Sequence, residues 1–126
     1  MIHERHFTLE EANGLLGTVE PALRALREAR DRLTDSEAHE ALSGAAPGNG
    51  GGEPGTQVGE SFLEVRRLLA ALQEAGIVIR DIDRGLVDFP ALIDGREVYL
   101  CWQLGEDGVD HWHDLEAGYG GREPLD

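Results

Sequence analysis

Residues 85–102 read GLVDFPALIDGREVYLCW, and this stretch decides the fold class. Apolar residues dominate from Leu86 to Ile93, and β-branched and aromatic residues dominate from Val98 to Trp102. Between them, Asp94-Gly95 is a strong signal for a two-residue hairpin turn. The stretch therefore predicts two antiparallel strands joined at this turn.

Shorter strand-like segments flank the hairpin. Ile77-Val78-Ile79 precedes it, and Val109 to His113 follows it after a glycine-containing turn. We therefore predict an antiparallel sheet of three to four strands over residues 77–114, with residues 115–126 as a tail.

Side chains along the longest of these strands should alternate between two faces. The apolar set, expected to pack on helices, contains Val98, Leu100, Trp102 and Leu104. The opposite set contains Glu97, Tyr99, Cys101 and Gln103. Pro90 has no N–H to donate to a ladder, so we expect the strand from Leu86 to lie at a sheet edge or to carry a bulge there.

A long helical pattern precedes the sheet. Thr8 followed by Glu11 forms a capping box, so we expect the first helix to cover residues 8–42. Its apolar seam has the alternating spacings of three and four that are typical of packed helices. The seam contains Leu9, Ala12, Leu16, Val19, Leu23, Leu26 and Leu33, and Arg30 interrupts it. Pro21 does not shift this register, which favours a kinked but continuous helix.

Glycine marks the boundary between this helix and a second one. Seven of the 17 glycines fall between Ser43 and Gly59, which predicts a flexible loop over residues 43–59. The second helix should cover residues 59–76 and end at Gly76. Because this helix is shorter than the first, part of the seam should extend beyond it, which favours self-association.

The predicted fold class is therefore α+β, in a single domain of residues 1–126. A long kinked N-terminal helix pairs antiparallel with the second helix, and both pack on the C-terminal three- to four-stranded antiparallel sheet.

The charge of the chain excludes several classes of partner. Twenty-five acidic residues stand against 11 basic ones, all of them Arg, for a formal net charge of −14. Such a charge argues against binding to nucleic acid or to an anionic membrane surface. The single cysteine, the lack of an apolar signal core and the lack of any run of ~20 apolar residues predict a cytoplasmic protein.

The acidic excess is concentrated near two histidines. Residues 77–126 hold 12 acidic residues and 4 Arg, which is −8 of the −14. His111 and His113 are two residues apart on a strand, so both should project from one face, as metal-binding imidazole pairs do. We expect a third ligand from a short list: Asp81, Asp83, Asp88 or Cys101. Such a mixed set leaves the divalent transition metal undetermined. The alternative is that both imidazoles lie on a solvated face and only balance charge.

A second set of residues suits a small anion. Arg84, in a turn, and Arg122, in the glycine-rich tail, would act as clamps near the aromatic face of Trp102 or Trp112. The alternative is an ordinary turn whose charges lie in water.

Three segments carry a resemblance to a known family: FTLEEANGLL (7–16), RDIDRGLVDFPALIDGREVYLCWQLGE (80–106) and WHDLEAGYGGREPL (112–125). Together they resemble the prokaryotic family catalogued as domain of unknown function 2203. The resemblance spans nearly the whole chain apart from the glycine-rich insertion. It implies a single cytoplasmic domain from a bacterium or archaeon and implies no activity or cofactor.

Because no complete catalytic set is present, the sequence favours a non-enzymatic binding or assembly module. A homo-oligomer is the expected assembly, and the small-molecule ligand is unidentified. The first alternative is a metal-binding protein or metal-dependent enzyme that uses His111 and His113. The second is a small-anion-binding domain that uses Arg84 and Arg122.

Overall fold

The computed structural model describes the backbone of residues 2–43 and 53–125, and the side chains of residues 2–35 and 59–125. Two helices precede the sheet. The elements are α1 (Leu9–Ser43), α2 (Glu53–Glu74), β1 (Val78–Asp81), β2 (Leu86–Ile93), β3 (Arg96–Gln103), β4 (His111–Asp114), a 3-10 turn (Tyr119–Gly121) and β5 (Glu123–Pro124). The strand order is β1-β2-β3-β4-β5, and every neighbouring pair is antiparallel. The predicted α+β class is confirmed.

The sheet has five strands rather than three or four because the predicted tail also pairs. Glu123 lies opposite Trp112, and Pro124 lies opposite His111. At the other end of the sheet, β1 is four residues long and its register shifts between Ile79 and Asp81. Both outer strands are therefore short or irregular.

The predicted capping box starts α1. The Thr8 backbone N–H donates to Glu11 Oε1 at 2.9 Å, and the Glu11 N–H donates to Thr8 Oγ1 at 3.0 Å. The hydrogen bonds from Thr8 lower the pKa of the Glu11 carboxyl. From there α1 continues across Pro21 to Ser43 without interruption.

The second helix begins at Glu53 rather than near Gly59, so residues 53–58 are helical and not part of a loop. Pro54 stands in the first turn, where its missing N–H removes no intrahelical bond. Residues 44–52 of the predicted loop lie outside the described part of the chain. After α2, Gly76 takes a positive φ of 90°, as predicted for the left-handed end of a helix.

The hairpin turn fixes the register of the sheet. Asp94 and Gly95 both have positive φ, 52° and 77°, as a two-residue type I′ turn requires. Ile93 therefore pairs with Arg96, and the ladder continues until Asp88 lies opposite Cys101.

The expectation for Pro90 needs a correction, because β2 lies between β1 and β3 and is not an edge strand. β1 pairs with β2 only as far as Asp88, and beyond that residue the outer side of β2 is free of β1. The Pro90 carbonyl accepts the Phe7 N–H there, at 2.7 Å. The nitrogen of a strand residue points to the same side as its carbonyl, so Pro90 removes no ladder bond to β3.

The hydrophobic core lies between the helices and one face of the sheet. As predicted, Val98, Leu100 and Trp102 are buried in it, and Leu104 packs against it. In the seam of α1, Ala12, Val19, Leu23 and Leu26 are buried, Leu16 is half-buried and Leu9 is 43% exposed. Most of the seam is therefore covered within the chain, and self-association stays a prediction. Within the described residues, no helix combines the length and apolar character needed to cross a bilayer.

The opposite face of the sheet is polar, and its centre is also buried. Asp88, Tyr99, Cys101 and His113 lie there. Arg80, Arg122 and residues 2–6 contact side chains on this face. This face holds the candidate site.

Candidate functional site

Three buried side chains meet on the polar face, one from each central strand. Asp88 on β2, Cys101 on β3 and His113 on β4 are 1%, 0% and 2% exposed. One potential ligand atom from each lies within 4.8 Å of the other two. The register explains this meeting, because Asp88 pairs with Cys101, and Cys101 pairs with His111, two residues before His113. We call these three residues the buried cluster.

Both ring nitrogens of His113 face oxygen atoms. Nε2 lies 2.9 Å from Asp88 Oδ1, and Nδ1 lies 2.8 Å from the Asp114 carbonyl oxygen. A carbonyl accepts and an ionised carboxylate accepts, whereas a neutral imidazole has only one N–H. With the proton on Nδ1, the Nε2 lone pair points at a second acceptor. A proton on Nε2 satisfies this contact as a hydrogen bond to Asp88, and a metal ion bound by both atoms is the other arrangement that satisfies Nε2 and Oδ1.

Arg80 orients the carboxylate of Asp88. Its Nε donates to Asp88 Oδ2 at 2.7 Å, which leaves Oδ1 turned toward His113. The same guanidinium lies 4.8 Å above the Tyr99 ring. Arg80 thus joins the cluster to the aromatic side chain beside it.

Cys101 is protonated in this environment. Burial, followed by the nearby charge of Asp88, raises the pKa of its thiol to about 12. A nucleophilic cysteine needs the opposite shift and an accessible sulfur. His113 also lacks a free nitrogen to activate a thiol, since Asp88 and the Asp114 carbonyl occupy both. The cluster is therefore not arranged as a Cys-His-Asp catalytic triad.

His111 lies outside the buried cluster, although it shares a strand face with His113 as predicted. Arg122 Nη2 donates to His111 Nδ1 at 2.8 Å and also contacts both Glu106 oxygens, at 2.8 and 2.9 Å. Arg122, rather than a metal ion, is the cation that meets His111 and Glu106 in this structure.

Two of the predicted third ligands also lie elsewhere. Asp81 Oδ1 accepts the backbone N–H of Arg84 at 3.1 Å within the β1–β2 turn. Asp83 holds this turn to α1, because its carbonyl accepts from Arg27 at 2.7 Å and its carboxylate from Arg30 at 2.5 Å. The interruption of the α1 seam at Arg30 thus serves a contact with the sheet.

Arg84 and Arg122 do come together, but on an aromatic ring. Their guanidinium carbons lie 5.4 and 4.9 Å from the centroid of Tyr119. Trp102 does not join them, since it is buried in the helix-facing core and its indole N–H donates to the Glu106 carbonyl. The arrangement fastens the tail to the sheet.

Comparison with known proteins places the chain in a family. The profile of the family described as "Uncharacterized conserved protein (DUF2203)" matches residues 5–125. The chain belongs to the DUF2203 family. No curated protein and no solved structure matches this DUF2203 chain.

Sequence reasoning missed the residues that surround the cluster of this DUF2203 protein. Arg80 and Tyr99 carry no motif, and their roles depend on which face of the sheet they share. His3, His6 and Glu97 are likewise joined only by the fold. The one available signal was the two-residue turn, because its register places Asp88 opposite Cys101.

Proposed function

We propose that this protein is a small, non-enzymatic metal-binding module that holds one divalent transition-metal ion between Asp88, Cys101 and His113. The observation that carries the proposal is the 2.9 Å contact between His113 Nε2 and Asp88 Oδ1, with the Cys101 sulfur beside it. A metal ion satisfies all three groups at once.

The hydrogen bonds around the cluster fit such an ion. Metal-binding histidines commonly donate their other N–H to a backbone carbonyl, as His113 Nδ1 would to Asp114. Ligating carboxylates are commonly hydrogen-bonded as well, as Asp88 is by Arg80. Tetrahedral bonds of about 2.0–2.3 Å to one ion hold ligand atoms roughly 3.3–3.8 Å apart. The three ligand atoms lie within 4.8 Å of one another, so coordination needs side-chain shifts of roughly 1 Å.

The donor set favours a metal that accepts sulfur, nitrogen and oxygen together, of which zinc is the common example. Coordination would displace the thiol proton of Cys101, so its high pKa does not prevent binding. A reduced thiol also suits the predicted cytoplasmic location.

Burial favours a structural role over catalysis. Three protein ligands leave one coordination position, as in catalytic zinc sites. However, the three side chains are at most 2% exposed, so a substrate would have no contact with the ion in this conformation. A bound ion would instead tie β2, β3 and β4 together.

The test is metal binding by protein purified without a metal-affinity tag. Elemental analysis should find about one divalent transition-metal ion per chain. After treatment with a chelator, the protein should bind about one Co²⁺ per chain. Bound Co²⁺ should show a thiolate charge-transfer band in the near ultraviolet. Wild-type protein that is folded yet binds neither Zn²⁺ nor Co²⁺ at micromolar concentrations would remove the proposal.

Matched variants identify the ligands. Cys101→Ser keeps the size of the side chain and should abolish the charge-transfer band. His113→Ala should weaken binding by more than about 100-fold, beyond the loss usual for residues that only support a ligand. His111→Ala is the control and should keep both the band and the affinity. The reverse pattern for the two histidines would contradict the assignment.

Anion binding by Arg84 and Arg122 is the weaker proposal. Both guanidinium groups contact one ring, which favours it, but Glu106 already neutralises Arg122. Self-association remains a separate proposal, to be tested by the mass of the protein in solution.

A further inference from the structure

Residues 2–6, here called the N-terminal strap, make most of their polar contacts with the Glu97 carboxylate, and Arg5 also donates to the Ala75 carbonyl at 3.1 Å. The backbone N–H groups of Ile2 and His3 donate to Glu97 Oε1 and Oε2 at 2.8 and 3.0 Å. The His6 Nε2 atom lies 2.7 Å from Glu97 Oε2. The strap has no helix or strand, so these side-chain contacts replace regular backbone pairing.

Tyr99 connects the strap to the buried cluster. Its hydroxyl lies 2.7 Å from His3 Nε2, and the two rings meet edge to face at 5.3 Å. On its other side the Tyr99 ring lies 5.4 Å from the ring of His113. Movement of the strap would remove the His3 contact and leave Tyr99 held by Arg80 on its ring, and rotation of the Tyr99 side chain would then open the side of the cluster at His113.

The other covering groups are each held by an ion pair, although the Arg80 side chain is itself 41% exposed. Arg80 is ion-paired to buried Asp88, and Arg122 contacts both oxygens of Glu106. An ion cannot reach three ligands that are at most 2% exposed unless some cover moves.

We propose that the strap is a gate for the buried cluster, that it pivots near Phe7, and that Glu97 is the latch that keeps it closed. Phe7 is buried and bonded to Pro90, so the chain is fixed from that residue onward. The inference that this gate sets the rate of metal exchange rests on the proposed function, whereas the opening itself does not.

The latch stays charged over the physiological range. The Ile2 N–H, with the His3 N–H and the His6 imidazole, lowers the pKa of Glu97 to about 2 although burial opposes the shift. Three donors on a charged acceptor form the stronger class of hydrogen bond.

Cys101 provides a direct test, because it is the single cysteine of the chain and is fully buried. The rate at which a neutral thiol reagent labels chelator-treated protein, at fixed pH, measures how often the cluster opens. Glu97→Gln keeps the shape of the side chain but removes its negative charge. It also replaces one acceptor oxygen by an NH₂ group, which cannot accept from the Ile2 and His3 N–H groups. Labelling should become about ten-fold faster or more. Glu28→Gln removes an exposed acid on α1 and should label at the wild-type rate.

A second control separates gate opening from global unfolding. Val19→Ala lowers global stability from the core on the helix side of the sheet, where Val19 is buried away from the polar face. If labelling occurs through the gate, Cys101 of Val19→Ala should be labelled at the wild-type rate in the absence of denaturant. The proposal is overturned if Val19→Ala accelerates labelling and Glu97→Gln does not.

The metal consequence is measured separately. A chelator should extract Co²⁺ from Glu97→Gln faster by a similar factor. If wild-type protein binds no metal, the proposed function fails while the labelling experiment still decides the gate. If wild-type protein binds metal and Glu97→Gln is labelled at the wild-type rate, the gate fails and the proposed function stands.

Discussion

Asp88→Asn separates a cluster built for a metal ion from one built around an ion pair. The new amide can donate from its NH₂ to Nε2 of neutral His113, while its oxygen still accepts from Arg80. In the wild type, Asp88 Oδ1 lies 2.9 Å from His113 Nε2 and Asp88 Oδ2 lies 2.7 Å from Arg80 Nε, and the amide keeps both contacts. The bond from His113 Nδ1 to the Asp114 carbonyl is unaffected. The variant therefore provides partners for both ring nitrogens of His113 and for Arg80 without a metal ion and without a charged imidazole.

The expected magnitudes follow from this accounting. In the presence of a chelator, Asp88→Asn should stay within about 1 kcal/mol of wild type, since it exchanges one set of bonds for another. Asp88→Ala should cost about 3–5 kcal/mol, because it strips two buried or part-buried partners. For a chain of this length, 1 kcal/mol moves the melting temperature by roughly 4 °C. Zn²⁺ at 100 times its Kd should stabilise wild type by about 2.7 kcal/mol. The same Zn²⁺ should do little for Asp88→Asn.

The assay is thermal unfolding followed by circular dichroism, with Zn²⁺ and with chelator, for all three proteins. A loss of stability in Asp88→Asn as large as that in Asp88→Ala, measured in chelator, would contradict a neutral His113 and a metal-binding Asp88. That result would mean that an ionised Asp88 and a charged His113 hold the cluster together, with a proton in the place of the metal ion.

Three further predictions concern the surroundings of the cluster. Arg80→Met should weaken metal binding about 10- to 100-fold in a Co²⁺ titration, because Arg80 orients a ligand, and an unchanged Kd would contradict that role. The folded-state pKa of Glu97 is lowered from 4.5 to about 2, so its stabilising effect is complete above pH 4.5 and is lost as the pH falls toward 2. The stability difference between wild type and Glu97→Gln should shrink over that window, and a constant difference in acid melts would argue against the latch. Gly85→Ala should destabilise by more than about 1 kcal/mol, measured in urea, because φ is +64° and the new Cβ would lie 2.3 Å from the Leu104 side chain.

Local signals predicted much of this fold. Thr8 and Glu11 identify the start of α1, Asp94-Gly95 identifies the central hairpin, and Gly76 identifies the end of α2, because each acts through its own backbone or near neighbours. The predicted start of α2 at Gly59 was wrong. The glycine content of residues 43–59 favoured a loop, whereas Pro54 is favourable in the first turn of a helix. The pairing of β5 was missed because two residues carry no periodicity.

The candidate site was predictable only in part. Asp88, Cys101 and His113 were all among the expected ligands, but so were Asp81, Asp83 and His111. The turn register could have ranked Asp88 first, since it fixes a cross-strand neighbour. Which of His111 and His113 joins the cluster depends on the register of β4 against β3. The loop before β4 sets that register, and no local sequence pattern predicts it. The strap was missed because its bonds reach residues more than ninety positions away.

The outer strands bear on how this protein behaves at high concentration. A free sheet edge offers N–H and C=O groups to a strand from another molecule, which is a common origin of aggregation. Here β5 ends after two residues, one of them Pro124, and β1 is short and irregular. Neither edge is a good template. Phe62 and Leu63 are exposed and adjacent on α2, so charged substitutions there are a direct way to reduce association in a concentrated sample.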